Sequence, residues 1–94
     1  MASQATTPLK NSDSGTMGQT ATPIVPFSTT RKWLMFSNRS KGSEIQDIGP
    51  ADVTVGGGIP VFPGGGFLFN GTGACGPIYG ITTVPNSPFS YVEG

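Results

Sequence analysis

The sequence contains no histidine, a single cysteine at position 75 and few charged residues, which make up 11% of the chain. Without histidine and without a second cysteine, most routes to metal binding and to nucleophilic catalysis are closed. One cysteine also excludes an intramolecular disulfide, so the chain is unlike the small secreted proteins that disulfides hold together. We predict no catalytic residue, no cofactor and no metal site, and we do not expect an enzyme.

The chain also lacks an excess of either charge and any long apolar run. Five basic residues balance five acidic residues, so no overall field favours nucleic acid or acidic membranes. A transmembrane helix needs about 18 consecutive apolar residues, and a signal peptide needs a basic start followed by an apolar run. Neither pattern occurs. We therefore expect a protein made in a reducing cytoplasm, with no membrane partner.

Glycine and proline are abundant instead, with 15 and 9 residues. The apolar residues fall in short runs of period 2 that Gly, Pro or Asn interrupt, which is typical of β-strands. Two glycine triplets, at 56–58 and 64–66, predict turns with positive φ. Between them lies Pro60, which cannot donate a ladder hydrogen bond, so we expect its strand at a sheet edge. The sequence predicts an all-β fold, a small β-sandwich or barrel of five to seven short strands.

The segment 31–38 shows the clearest alternation. Leu34 and Phe36 fall on one face of a strand, and Trp33 and Met35 fall on the other. Because both faces carry large apolar side chains, we expect cover on both sides, with the core on one and a partner or the N-terminal segment of the chain on the other. Trp33 and Met35 are therefore predicted to bind a partner.

Residues 1–26 and 27–94 differ in composition. The first segment is rich in Ser, Thr, Gln, Ala and Pro and shows no periodicity, so it buries too little apolar surface to fold alone. It ends with Ile24 and Val25 between two prolines, followed by Phe27, which predicts an extended apolar path. We predict an extended or disordered N-terminal arm over 1–26, which binds a neighbour through these three residues, and a β-domain over 27–94.

Two further groups of residues leave other binding functions open. Basic residues near aromatic ones can hold single-stranded nucleic acid, and the candidates are Arg31, Lys32, Arg39 and Lys41. Exposed aromatic residues can form a platform for sugar rings or can anchor a protein interface, and the candidates are Trp33, Tyr79 and Tyr91. The sequence alone does not separate these interpretations, although the small number of basic residues argues against nucleic acid.

Four segments form a pattern of core and turn positions: Arg31-x-x-Leu34-x-Phe36-x-Asn38, Gly58-Ile59-Pro60-Val61-x-Pro63-Gly64-Gly65, Ile78-Tyr79-Gly80-Ile81 and Tyr91-Val92-Glu93. Over residues 31–94 this pattern resembles small β-rich structural proteins of tailed bacteriophages, which are decoration, cement, minor head or fibre-attachment components. The resemblance implies a capsid-stabilising protein of the virion that binds the major capsid protein or another virion protein. It names no catalytic or ligand-binding residue.

The short length of the chain adds an expectation about assembly. A domain of this size buries only roughly 60% of the surface that its unfolded chain exposes, so we expect a homo-oligomer, for which a trimer is one arrangement. The alternative function is a receptor- or sugar-binding module at a fibre tip. A single-stranded nucleic-acid-binding protein is the third and weakest interpretation.

Overall fold

The structure, a computed structural model, describes residues 11–70 and 76–94. Every regular element within these residues is a β-strand, which confirms the predicted all-β class. The strands are β1 (Asn11–Met17), β2 (Thr22–Val25), β3 (Trp33–Asn38), β4 (Gln46–Gly49), β5 (Ile59–Val61), β6 (Gly66–Asn70), β7 (Ile78–Ile81) and β8 (Ser87–Glu93).

The eight strands form two four-stranded antiparallel sheets. Sheet A has the strand order β1-β8-β3-β6, and sheet B has the order β2-β7-β4-β5. The first strand thus pairs with the last, the second with the seventh, the third with the sixth and the fourth with the fifth. The chain is one long two-stranded ribbon, rolled up so that β8 also pairs with β3 and β7 with β4. This rolled arrangement of eight strands is a jelly roll.

The hydrophobic core lies between the two sheets. Leu34 and Phe36 of β3 are fully buried, as their alternation predicts, and the Phe36 ring stacks on the Phe89 ring of β8 with centroids 5.7 Å apart. Sheet B contributes the buried residues Ile24, Val25, Ile48, Val61 and Ile78. Because successive side chains of a strand point to opposite faces, each sheet supplies one face to this core.

Residues 11–25 belong to the sandwich, so the boundary predicted at residue 26 does not appear as a break in the fold. β1 pairs with β8 along its whole length, from Asn11 opposite Glu93 to Met17 opposite Ser87. Backbone hydrogen bonds hold an edge strand of this kind, so it needs little apolar burial. With β1 and β2 the structure has eight strands, where five to seven were predicted. Residues 1–10 of the predicted arm lie outside the described residues.

Proline and glycine mark an edge and two turns where the sequence predicts them. Pro60 lies in β5, an edge strand of sheet B, opposite Asp47 of β4. Gly56 and Gly64, one from each glycine triplet, have φ angles of 81° and 79°. This left-handed backbone region favours glycine, because a Cβ atom is strained there. The two triplets therefore set the turns on either side of β5.

A buried ion pair closes one end of the sandwich. The Arg31 guanidinium lies 2.9 Å from Glu93 Oε1, and the two side chains are 1% and 10% exposed. Arg31 also donates hydrogen bonds to the carbonyl oxygens of Pro26, at 3.2 Å, and Gly76, at 2.9 Å. One side chain thus ties the end of β8 to the β2–β3 loop and to the segment that precedes β7.

Candidate interaction face

An apolar surface lies on the outer side of sheet A, away from the core. Met35 of β3 lies opposite both Leu68 of β6 and Val92 of β8, and directly opposed residues of antiparallel strands share a face. Trp33, two residues before Met35, is on the same side. Met35 is 39% exposed and Leu68 is 50% exposed, whereas Trp33 and Val92 are partly buried. We name these four residues the apolar face.

The apolar face exists because strand β3 carries large apolar residues on both of its sides. Leu34 and Phe36 point inward and fill the core, so Trp33 and Met35 must point outward. Single exposed apolar residues are ordinary on a protein surface, whereas contiguous ones from three neighbouring strands are typical of interaction sites. The apolar face is therefore the candidate functional site.

Strand β6 lies at one edge of sheet A, and among the described strands it pairs only with β3. Among the described strands there are four sheet edges, and three carry a residue that discourages further pairing: Asp13 in β1, Pro23 in β2 and Pro60 in β5. β6 has the sequence Gly66-Phe67-Leu68-Phe69-Asn70, with no charge and no proline. Because Leu68 belongs to the apolar face, a partner can use backbone hydrogen bonds and apolar contacts at the same place.

The structure separates the five residues that the sequence predicts to bind a partner. Trp33 and Met35 lie together on the apolar face. Ile24 and Val25 of β2 are 7% and 1% exposed and belong to the core, so in this fold a partner does not reach them. The prolines that flank Ile24 and Val25 favour an extended backbone, as predicted, but this extended segment is the edge strand β2 of the chain's own sheet B. Phe27, in the loop after β2, is 62% exposed.

Leu68 and Val92 complete the apolar face but are not among the residues predicted from the sequence. The local pattern held a partial signal, since Leu68 lies between two phenylalanines and must face away from them in a strand. Local alternation does not say which strands are neighbours. The register of β6 and β8 against β3 brings these two residues to Met35.

The basic residues do not form a single patch. Arg31 is buried in its ion pair with Glu93 and is not available to a nucleic-acid phosphate. Lys32 and Arg39 flank β3 at opposite ends, roughly 20 Å apart for a strand of this length. Lys41 follows in the β3–β4 loop. This arrangement does not support single-stranded nucleic-acid binding.

The three aromatic residues considered as a sugar platform lie on different surfaces. Trp33 faces outward from sheet A, Tyr91 is 7% exposed in the core, and Tyr79 lies on the outer side of sheet B. Burial, and after it the nearby carboxylates of Asp13 and Glu93, raises the pKa of Tyr91 above its ordinary value of 10.0. The described residues therefore do not assemble the predicted aromatic platform.

Neither a search for membrane-spanning helices and metal sites nor a comparison with known proteins identifies a function for this chain. Over 11–70 and 76–94 there is no helix long and apolar enough to cross a membrane, and no group of three His, Cys, Asp or Glu residues that could hold a metal ion. Comparison of the chain with protein-family models, with curated proteins and with solved structures finds no match. A functional assignment therefore depends on the strand order and on the apolar face.

Proposed function

We propose that this chain is a structural protein of a tailed-bacteriophage virion, which binds and stabilises the capsid lattice as a decoration, cement or minor head protein. The observation that carries the proposal is the apolar face beside the unprotected edge of β6. A surface of this kind suits lasting contact with another protein. The partner is the major capsid protein or another protein of the virion.

The strand order supports the proposal at the level of the fold. Jelly rolls are the fold of many viral capsid domains and of many lectins. Because one fold hosts many functions, the fold alone does not assign one, and the proposal depends on the surface. The resemblance of residues 31–94 to small structural proteins of tailed bacteriophages points to the same class of function.

Covering the apolar face supplies a modest binding free energy per copy. Full burial of a Leu or Met side chain is worth roughly 1.5–3 kcal/mol, so covering the exposed parts of Met35 and Leu68 contributes about 2 kcal/mol together. Each backbone hydrogen bond to the edge of β6 adds about 0.5–1.5 kcal/mol. Linked copies on a repeating lattice convert such weak contacts into stable attachment.

We propose in addition that the chain acts as a homo-oligomer, for which a trimer is one arrangement. A cyclic oligomer covers apolar surface that a short chain cannot bury alone. The absolute mass of the protein in solution measures this directly. The Leu68→Lys variant places a charge on the β6 edge and is expected to dissociate an oligomer that uses this strand. A wild-type protein that is monomeric at all concentrations contradicts the proposal of self-association.

Occupancy of phage particles tests the proposed function. Particles of the phage that encodes the chain are assembled with the wild type, with the Met35→Ser/Leu68→Ser variant, or with Phe62→Ser, which removes an apolar side chain that is 58% exposed in the β5–β6 loop. We expect wild-type and Phe62→Ser proteins on the particles, and about thirtyfold weaker binding of the double variant. Equal occupancy of the double variant, or absence of the wild type from particles, contradicts the proposal.

The second candidate is a receptor- or sugar-binding module at a fibre tip, because lectin domains share the jelly roll. The dispersed positions of Trp33, Tyr79 and Tyr91 make it the weaker candidate. Glycan binding by the isolated protein, unaffected by the Met35→Ser/Leu68→Ser variant, would favour this module over the structural protein.

A further inference from the structure

Strand β6 lies at an edge of sheet A and is exposed on both of its faces. Leu68, on the outer side, is 50% exposed. Phe67 and Phe69 lie opposite Phe36 and Leu34 on the inner side, and Phe67 is still 37% exposed there. The rings of Phe67 and Phe69 meet edge to face, with centroids 4.9 Å apart. A strand added at this edge therefore covers apolar side chains on both sides of the sheet.

The ladder between β3 and β6 determines which backbone groups of β6 point to its far edge, on the side opposite β3. The N–H of Asn38, the last residue of β3, donates to the carbonyl oxygen of Gly65 at 3.0 Å, and the same register places Phe36 opposite Phe67. Hydrogen-bonded pairs alternate with non-hydrogen-bonded pairs in an antiparallel ladder, so Leu68 belongs to the second kind. The N–H and C=O groups of Leu68, and those of the residues two positions before and after it, therefore point to the far edge.

The far edge of β6 is complementary to a second copy of itself. In the sequence Gly66-Phe67-Leu68-Phe69-Asn70 the two phenylalanines lie symmetrically about Leu68. A two-fold axis at Leu68 pairs this residue with its own counterpart and pairs each Phe67 with the other copy's Phe69, so that aromatic side chains oppose each other. The same axis places Gly66 opposite Asn70, and each N–H at the far edge then meets a C=O. β6 carries no charge to oppose the contact and no proline to remove a donor.

An occupant of this edge must be apolar on both of its faces, because both faces of β6 need cover. Among the four edge strands formed by the described residues, β6 alone carries large apolar side chains that are exposed. A second β6 meets the requirement in alternation, in length and in charge. An isologous contact of this kind closes on itself, because each copy offers the same strand to the other.

We propose that two copies of the chain pair through antiparallel β6 strands about a two-fold axis. Their two sheets A then form one eight-stranded sheet, in which Met35 and Leu68 of both copies lie in one row across the outer side. The two apolar faces become one continuous surface, which stays available to a virion protein. The inference rests on the proposed self-association and assigns the β6 edge to the second copy. A trimer does not form through this contact, because the two-fold axis occupies the edge of both copies.

Cross-linking through an introduced thiol tests the register of the pair. In Leu68→Cys/Cys75→Ser the two introduced cysteines face each other in a hydrogen-bonded pair, whose Cα atoms are about 5.5 Å apart, and disulfides span roughly 4.4–6.8 Å. Val55→Cys/Cys75→Ser is the matched control, because Val55 is 53% exposed and lies in the β4–β5 loop. On oxidation we expect the Leu68→Cys protein to form a covalent dimer at least about tenfold faster than the control.

The absolute mass of the full-length protein over a concentration series tests the use of the backbone edge. Leu68→Pro removes an N–H that points to the far edge and that the ladder with β3 does not use. Leu68→Val is the matched control, because it keeps both the N–H and an apolar side chain. We expect a wild-type dimer, dimerisation about tenfold or more weaker in Leu68→Pro, and a change within about threefold in Leu68→Val.

The outcomes separate this inference from the proposed role in the virion. A monomeric or trimeric wild type overturns the β6 pair, and so does a folded Leu68→Pro protein that dimerises as well as the wild type. A dimer in which Leu68→Cys cross-links no faster than Val55→Cys also overturns it, although self-association then stands. Should Leu68→Pro fail to fold, the cross-linking comparison decides. A dimer that cross-links as expected but is absent from phage particles supports the β6 pair and contradicts the virion role.

Discussion

Removal of the Arg31 guanidinium is expected to destabilise the fold much more than removal of an exposed cation. In Arg31→Met, Glu93 loses this partner at a site where its side chain is only 10% exposed, and the carbonyl oxygens of Pro26 and Gly76 lose a donor. Breaking a buried ion pair by removing one partner costs about 3–5 kcal/mol. A domain of this size has a free energy of unfolding of about 5–15 kcal/mol, so the variant loses a large share of its stability.

Urea unfolding measures this loss. For a slope of about 2 kcal/mol per molar urea, a loss of about 4 kcal/mol lowers the midpoint by about 2 M. Lys32→Met is the matched control, because Lys32 is the adjacent residue and is exposed, and its change is expected within about 0.5 kcal/mol. Arg31→Met/Glu93→Leu removes both charges and is expected to recover much of the lost stability, since apolar residues often replace a buried ion pair without loss.

Two results would refute this reasoning about Arg31. Exposed ion pairs contribute less than about 1 kcal/mol to the free energy of unfolding. If Arg31→Met lowers that free energy by no more than this, water reaches Arg31 and Glu93 in solution. A double variant as unstable as Arg31→Met would mean that the loss comes from the packing of the arginine stem and not from the charge that Glu93 keeps when Arg31 is removed.

Three further predictions follow from the packing and the titrating groups. A Cβ atom on Gly58 would lie 2.7 Å from a backbone carbonyl oxygen of β4, so Gly58→Ala is expected to cost about 1–3 kcal/mol in the same urea assay. At Gly76 a Cβ atom would meet no atom of the described residues within 4 Å, so Gly76→Ala is expected to stay within about 0.5 kcal/mol. Because the pKa of Tyr91 is raised above 10.0, the neutral phenol contributes to stability below pH 10, and this contribution is lost as the pH rises further. Tyr91→Phe should flatten the alkaline pH dependence of the thermal unfolding temperature. An unchanged pH dependence in this variant would contradict the burial of the hydroxyl. The pKa of Glu44 is lowered below 4.5, so its carboxylate contributes to stability above pH 4.5, and this contribution is lost as the pH falls through the lowered pKa. In an NMR titration Ser40→Ala should move the pKa of Glu44 back toward 4.5, because the Ser40 hydroxyl donates to the carboxylate. An unchanged pKa in this variant would exclude the Ser40 hydroxyl as the cause of the shift.

Local patterns in the sequence predicted several features that the structure confirms. The alternation over 33–36 placed Leu34 and Phe36 in the core, because the two faces of a strand follow from its backbone geometry alone. Pro60 marked an edge strand for an equally local reason, since proline lacks the donor that a central strand requires. The all-β class follows from many such short segments.

Other features could not be predicted from local patterns. The polar segment 11–17 forms an edge strand because β8 offers it a free backbone edge, which its composition does not reveal. Ile24 and Val25 face the chain's own core rather than a neighbour because β2 pairs with β7, a strand more than 50 residues away in the sequence. Arg31, Trp33 and Arg39 lie near each other in the sequence, but the structure separates them. Arg31 is buried against Glu93, Trp33 lies on the outer face of β3, and Arg39 follows the far end of that strand.

The sequence by itself determined the class of the fold, the inward and outward faces of β3, and the scarcity of residues for metal binding or nucleophilic catalysis. Only the tertiary structure decided that Met35 meets Leu68 and Val92 and that Arg31 is buried against Glu93. It also decided that, of the four edges formed by the described strands, β6 is the one with neither a charged residue nor a proline. The physical reason is the rolled ribbon. Strand pairing in this topology joins segments from opposite ends of the chain, so the neighbours of each residue are set by the register of distant strands.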